Sequence, residues 1–154
     1  MNSEIQSIVR DLQKVIDGVP WYGTQVMEML GSVDPAIVYK KPNKHHSLIE
    51  LLYHMIMWSD FTLQRIEGKP LDPEEIKRLD WREIDPRVHT WQKGVEEFRR
   101  INGRIAELVL QKDDSLLDQI VGPRKYTYRE MLTGITQHHV YHLGQIAYVK
   151  KLLE

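Results

Sequence analysis

Residues 127–153, TYREMLTGITQHHVYHLGQIAYVKKLL, decide how the rest of this chain is read. The spacing predicts one helix of about 26 residues. Thr127 suits an N-cap, and Glu130 three residues later completes a capping box. Apolar residues then recur on one seam at Tyr128, Met131, Ile135, Ile146 or Gln145, Val149 and Leu152. His138 and His142 fill the gap in that seam, at two positions where the period calls for core residues. Side chains four apart on a helix lie one above the other, so both imidazoles point into whatever packs against this face. Buried polar groups need hydrogen-bond or coordinating partners. A divalent metal ion is the simplest single partner for both rings.

At 154 residues the chain is expected to form one domain with its own core. The 21 basic and 22 acidic residues are interspersed. No basic block is present that would neutralise a phosphate backbone, which argues against a nucleic-acid partner. There is no cysteine, so disulfides, thiolate metal ligands and a cysteine nucleophile are excluded. The first residues lack a basic segment followed by an apolar run, so no signal peptide is expected. The longest apolar stretch, near residues 51–58, is too short to span a bilayer. The expectation is a cytoplasmic protein with no membrane partner.

Upstream, an apolar stripe at Ile5, Ile8, Leu12 and Val15 predicts a first helix from a cap at Ser3. Asp17-Gly18-Val19-Pro20 breaks or kinks it, and residues 21–30 resume a helical pattern that Gly31 ends. One kinked helix and two separate helices both fit. Residues 31–46 read as a loop. Ser47 with Glu50 then forms a capping box opening a second helix, whose seam is Leu51, His54, Trp58 and Phe61, and Gly68-Lys69-Pro70 stops it. A third helix is expected from Asp85-Pro86 to about Gln111, with Val88, Trp91, Val95, Phe98, Ile105 and Val109 inward. Connectors at 69–85 and 112–126 carry short helical turns, after Asp72-Pro73 and at 115–120. Each could reach roughly 50 Å extended, further than the ~35–40 Å of a 25-residue helix. No strand pattern, repeat or low-complexity segment appears. The fold class is therefore all-α, a four-helix bundle in which long crossover connections are possible.

His54 occupies a seam position of the second helix, as His138 and His142 do on the fourth. If these helices are neighbours the three rings converge. Three neutral imidazoles at about 2.1 Å suit zinc, nickel or another late divalent ion and leave coordination positions open. Spacing alone leaves two other readings in place: core histidines satisfied by hydrogen bonds, and a polar pocket for a small molecule. No HExxH peptidase motif and no Glu-x-x-His pair of a di-iron bundle is present.

The run GITQHHVYHLGQIAYVKK, with SLIELLYHMIMW upstream, resembles the DinB-like (YfiT-like) superfamily of metal-dependent enzymes. Its terminal signature, His-x-x-x-His-x-Gly-Gln-Ile, falls on His138, His142, Gly144, Gln145 and Ile146, and its upstream histidine on His54, four residues before Trp58. WYGTQVMEML and RIEGKP also look like this family. The resemblance implies a four-helix bundle, often a homodimer, with nickel or zinc held by His54, His138 and His142. It also implies thiol-dependent S-transferase-type chemistry on a small-molecule substrate, with hydrolysis as the neighbouring possibility. Since the chain has no cysteine, a low-molecular-weight thiol would come as cosubstrate. The other class of function is a non-catalytic binding bundle whose metal is structural.

Around these residues, His139 lies about 100° round the helix from His138 and is expected either to support a ligand ring or to face solvent. Gln145, on the face of His142, is placed to hydrogen-bond that ring. Trp58 reads as core or pocket wall, and Tyr141 as core or a substrate hydrogen-bonder. His45 and His46 read as loop residues, with His46 in reach of the site mouth. Gly144 suggests a close helix approach or room beside a metal. The charged run 72–82 reads as a solvated face.

Overall fold

The computed structural model describes residues 3–154. Among them are six α-helices and no strand: α1 (Ser3–Ile16), α2 (Val26–Gly31), α3 (Leu48–Ile66), α4 (Pro73–Asp80), α5 (Trp91–Leu110) and α6 (Tyr128–Leu153). Both expected capping boxes form. Ser47 and Glu50 close the start of α3, and Thr127 and Glu130 that of α6. Each satisfies backbone N–H groups that a helix start leaves without partners.

The long helices α1, α3, α5 and α6 make the bundle. α3 runs antiparallel to α6, since His54 meets His142 while the Tyr128 hydroxyl donates to the carbonyl of Arg65. α3 runs parallel to α5: Tyr53 bonds Thr90 at one end, and Ser59 meets Asn102 further along both helices. The two approach closely at Gly94, where an added Cβ would lie 2.8 Å from Leu52 Cδ2. Glu4 pairs with Arg129, so α1 and α6 start at the same end. Two consecutive parallel helices, α3 and α5, force residues 67–90 to return along about 28 Å of α3. This crossover contains α4. Fifteen of the nineteen residues of α3 are buried, so it is the central helix and its buried surface exceeds the single seam expected.

The structure decides between one kinked helix and two at the chain's start, and four boundaries differ from the sequence expectation. The chain breaks fully after α1: Gly23 adopts φ 138°, a conformation side-chain-bearing residues avoid, and residues 21–25 are not helical. α2 starts only at Val26, where the Gln25 side chain accepts from Glu28 N, and Trp21 is fully exposed. Ser3 is itself a helical residue of α1, not its cap. The third long helix begins at Trp91, not at Asp85. The Asp85 carboxylate accepts from Arg87 N and its carbonyl from Val88 N and His89 N, closing a turn. Thr90 is the actual cap, accepting from Lys93 N. Val88 is therefore exposed, and His89 precedes the helix. The second connector carries a 3-10 turn at Asp114–Leu116 in place of a turn at 115–120.

Candidate metal centre

The capping boxes set where α3 and α6 begin, and the antiparallel packing brings their histidines level. His54 Nε2 lies 3.1 Å from His138 Nε2 and 3.1 Å from His142 Nε2. All three nitrogens lie within 4.8 Å of one another. His54 and His142 are buried, and His138 is half-buried. These three sequence-selected residues thus come together, within the distance at which one metal ion can be shared.

The opposite ring nitrogens decide what the centre can hold. His54 Nδ1 is 2.9 Å from Asp80 Oδ1 and 3.1 Å from the Asp80 carbonyl, and both accept only. His142 Nδ1 is 2.6 Å from Gln145 Oε1, also an acceptor. Each of these Nδ1 atoms therefore carries the proton, and each Nε2 presents a lone pair. His54 and His142 then face each other lone pair to lone pair at 3.1 Å, a contact that neither ring can turn into a hydrogen bond. A cation between them removes the repulsion, and 3.1 Å is close to the separation that a shared ion about 2.1 Å from each would set. Added protons are a poor substitute. Burial holds all three rings below the usual histidine range, His138 down to about 3, reinforced there by its two neighbours. The donor set, three neutral imidazoles without a carboxylate or thiolate, fits a late divalent metal.

The structure corrects several expectations around this cluster. The run 72–82 is not simply a solvated face. At its end Asp80 bonds His54, and the same Oδ1 accepts from Trp58 Nε1 at 2.8 Å. Next to it, the Trp81 indole stacks on His54 at 3.8 Å between ring centres, and His46 stacks on its other side at 3.8 Å. His46 thus caps the site through Trp81. A tryptophan inside an otherwise charged run was the available signal for this contact. His139 is not at the surface: it is fully buried, with Nε2 bonded to Asn102 Oδ1 at 3.0 Å and its ring against Phe98. Tyr141 is exposed and not core, although its ring edges that of His142 at 5.0 Å. Gly144 reflects no close helix approach, since an added Cβ there meets nothing within 4 Å. Gln145 supports His142 as expected, Trp58 forms a pocket wall, and Glu50 is occupied by its cap and by Lys41.

An all-α bundle whose middle carries three histidines from two helices, two of them orientated by acceptors behind them, defines a class of helical proteins compatible with metal binding. Within that class, residues 24–146 match the family model of the DinB superfamily, and the chain belongs to it. No curated protein matches the chain closely enough to count as a relative.

The crossover contact is testable. Asp80→Asn keeps the shape but removes the charge behind His54, so metal affinity should fall about 10- to 100-fold with helix content unchanged. Isothermal titration with nickel or zinc reads this directly, and unchanged affinity would show that the carboxylate does not tune the ring.

Proposed function

We propose that this chain is a metal-dependent enzyme in which His54, His138 and His142 hold one divalent ion, nickel or zinc. The lone-pair contact of His54 with His142 at 3.1 Å is the observation that carries this reading. Among the described residues the cluster has three donors, whereas structural zinc sites close with four. A bound ion supplies acidification of a coordinated thiol or water, giving a nucleophile near neutral pH. Asp80 and Gln145 fix the two ring tautomers, and Trp81 with His46 covers one side of the centre. The thiol of an S-transferase reaction must come from a low-molecular-weight cosubstrate, because the chain has no cysteine. Hydrolysis by a coordinated water needs the same centre. The reading includes a small-molecule substrate and a homodimer, on the strength of the family resemblance, and the cytoplasmic location expected from the sequence.

A screen of nickel- and zinc-loaded protein with low-molecular-weight thiols, paired with electrophiles and with esters, tests the proposal. Turnover is expected in the wild type and its loss in His54→Ala, with the bundle still folded by circular dichroism. No turnover, together with a melting temperature that drops by many degrees on chelation, would identify the metal as structural.

A further inference from the structure

α6 carries an interior glycine, Gly134, that packing does not explain. A Cβ added there meets nothing within 4 Å, and its φ is an ordinary helical one. Glycine in mid-helix is destabilising relative to alanine. The space an added side chain would enter is an open-sided cavity of about 390 Å³ between α3 and α6. One helical turn from Gly134 stands His138, which belongs both to this cavity and to the histidine cluster.

Several polar groups of the cavity wall are turned toward protein, while the Tyr126 hydroxyl also lines it and His138 Nδ1 is buried without a hydrogen-bond partner among the described residues. Trp58 Nε1 donates to Asp80, and Thr62 Oγ1 donates to the Trp58 carbonyl. The Glu130 carboxylate accepts from Thr127 in the α6 cap. Phe61, another wall, lies under the guanidinium groups of Arg65 and Arg124, at 5.2 and 5.5 Å from its centre, but neither arginine lines the cavity. The wall thus offers mainly rings, aliphatic groups and an open helix face, with the Tyr126 hydroxyl and one carboxylate, Glu130, whose Oε2 is spent in the helix cap.

We infer that this cavity is the substrate pocket of the centre and that it takes an uncharged, mainly apolar molecule, with the reacting end toward His138. The assignment of a substrate rests on the metal-enzyme reading above. At about 30 Å³ per water-sized group, the space suits on the order of a dozen non-hydrogen atoms. An anion entering it would find no cationic partner in the lining and would face the Glu130 carboxylate, while a cation would have to compete with the helix cap for that carboxylate. Gly134 keeps the space open.

Protein as purified is titrated with benzyl alcohol, benzoate and benzylamine, followed by tryptophan fluorescence, and its metal content is measured separately. Benzyl alcohol is expected to bind at least tenfold tighter than either charged analogue. Gly134→Leu should lose that binding at least tenfold, and Gly134→Ala should lose part of it, with metal content unchanged in both. Alanine is the variant that keeps the test decisive if leucine perturbs the fold. Tighter binding of benzoate, or undiminished binding of benzyl alcohol in a folded Gly134→Leu or Gly134→Ala protein, overturns the inference. Absence of metal from the wild type would instead overturn the reading of the centre, and the neutral-probe preference would still decide the cavity.

Discussion

His142→Ala protein is expected to come off purification and dialysis with almost no divalent metal, where the wild type holds about one ion per chain. His142 is the ring whose lone pair opposes that of His54 at 3.1 Å. Its tautomer is set by Gln145 at 2.6 Å, so its Nε2 has no other role in the fold. Four-ligand zinc sites contribute roughly 10–16 kcal/mol. If one ligand carries about a quarter of that, its removal costs about 2.5–4 kcal/mol, or roughly 100- to 1000-fold in affinity. The fold should survive, because alanine is the better helix former and α6 packs against α3, α1 and α2. Elemental analysis and circular dichroism on the same sample separate the outcomes. A folded variant with its full metal content would remove His142 from the ligand set. A wild type without metal after loading with nickel or zinc would return the three rings to the status of core histidines.

What the chain disclosed in advance, and what it withheld, follows from the range of each interaction. Caps at Ser47 and Thr127 are made by residues three apart, so both helix starts were readable. His54, His138 and His142 were readable because a histidine on an apolar seam breaks a period that is itself local. Asp85-Pro86 carried the same kind of local signal and misled, because Asp85 closes a turn with Arg87, Val88 and His89 and leaves capping to Thr90. Asp80 and Trp81 were hidden for a different reason. They reach His54 only because the parallel arrangement of α3 and α5 brings the crossover back over α3. Periodicity describes the faces of one helix and does not say what a returning segment lays across them. His139 was hidden by the assumption of one buried face. α6 meets α3 along its seam, and the Asn102 side chain of α5 reaches its neighbouring face, so a residue 100° away is buried as well.

That second face yields the other large effect. Three helices meet behind the cluster through one directional chain of hydrogen bonds. His139 Nε2 donates to Asn102 Oδ1 at 3.0 Å. Asn102 Nδ2 donates to Ser59 Oγ at 3.1 Å and to the Phe98 carbonyl at 2.9 Å. Ser59 Oγ in turn donates to the Met55 carbonyl. Burial holds the His139 ring neutral, well below the usual histidine range. Asn102→Leu would take the nearer acceptor from the fully buried N–H of His139, leaving it only Ser59 Oγ at 3.4 Å, and remove the links to Ser59 and Phe98. With about 1 kcal/mol for the weakened bond of His139 and about 1 kcal/mol for each of the two bonds from Asn102 Nδ2, the cost is about 3 kcal/mol. For a chain of this size that lowers the melting temperature by roughly 6–12 °C. His139→Leu should cost about 2 kcal/mol, since it orphans Asn102 Oδ1 and removes the edge contact with Phe98. In the double variant neither partner remains to be orphaned, so the combined loss should fall short of the sum by about 1–2 kcal/mol. Denaturant melts of the four proteins measure this coupling, and additivity within about 0.5 kcal/mol would mean that the chain of bonds is not a unit. Metal content sharpens the result, because His139 spends its Nε2 on Asn102 and should hold no ion. All three variants are expected to keep about one ion per chain, whereas loss of metal from His139→Leu with retention in His142→Ala would move the ligand role from one neighbour of His138 to the other.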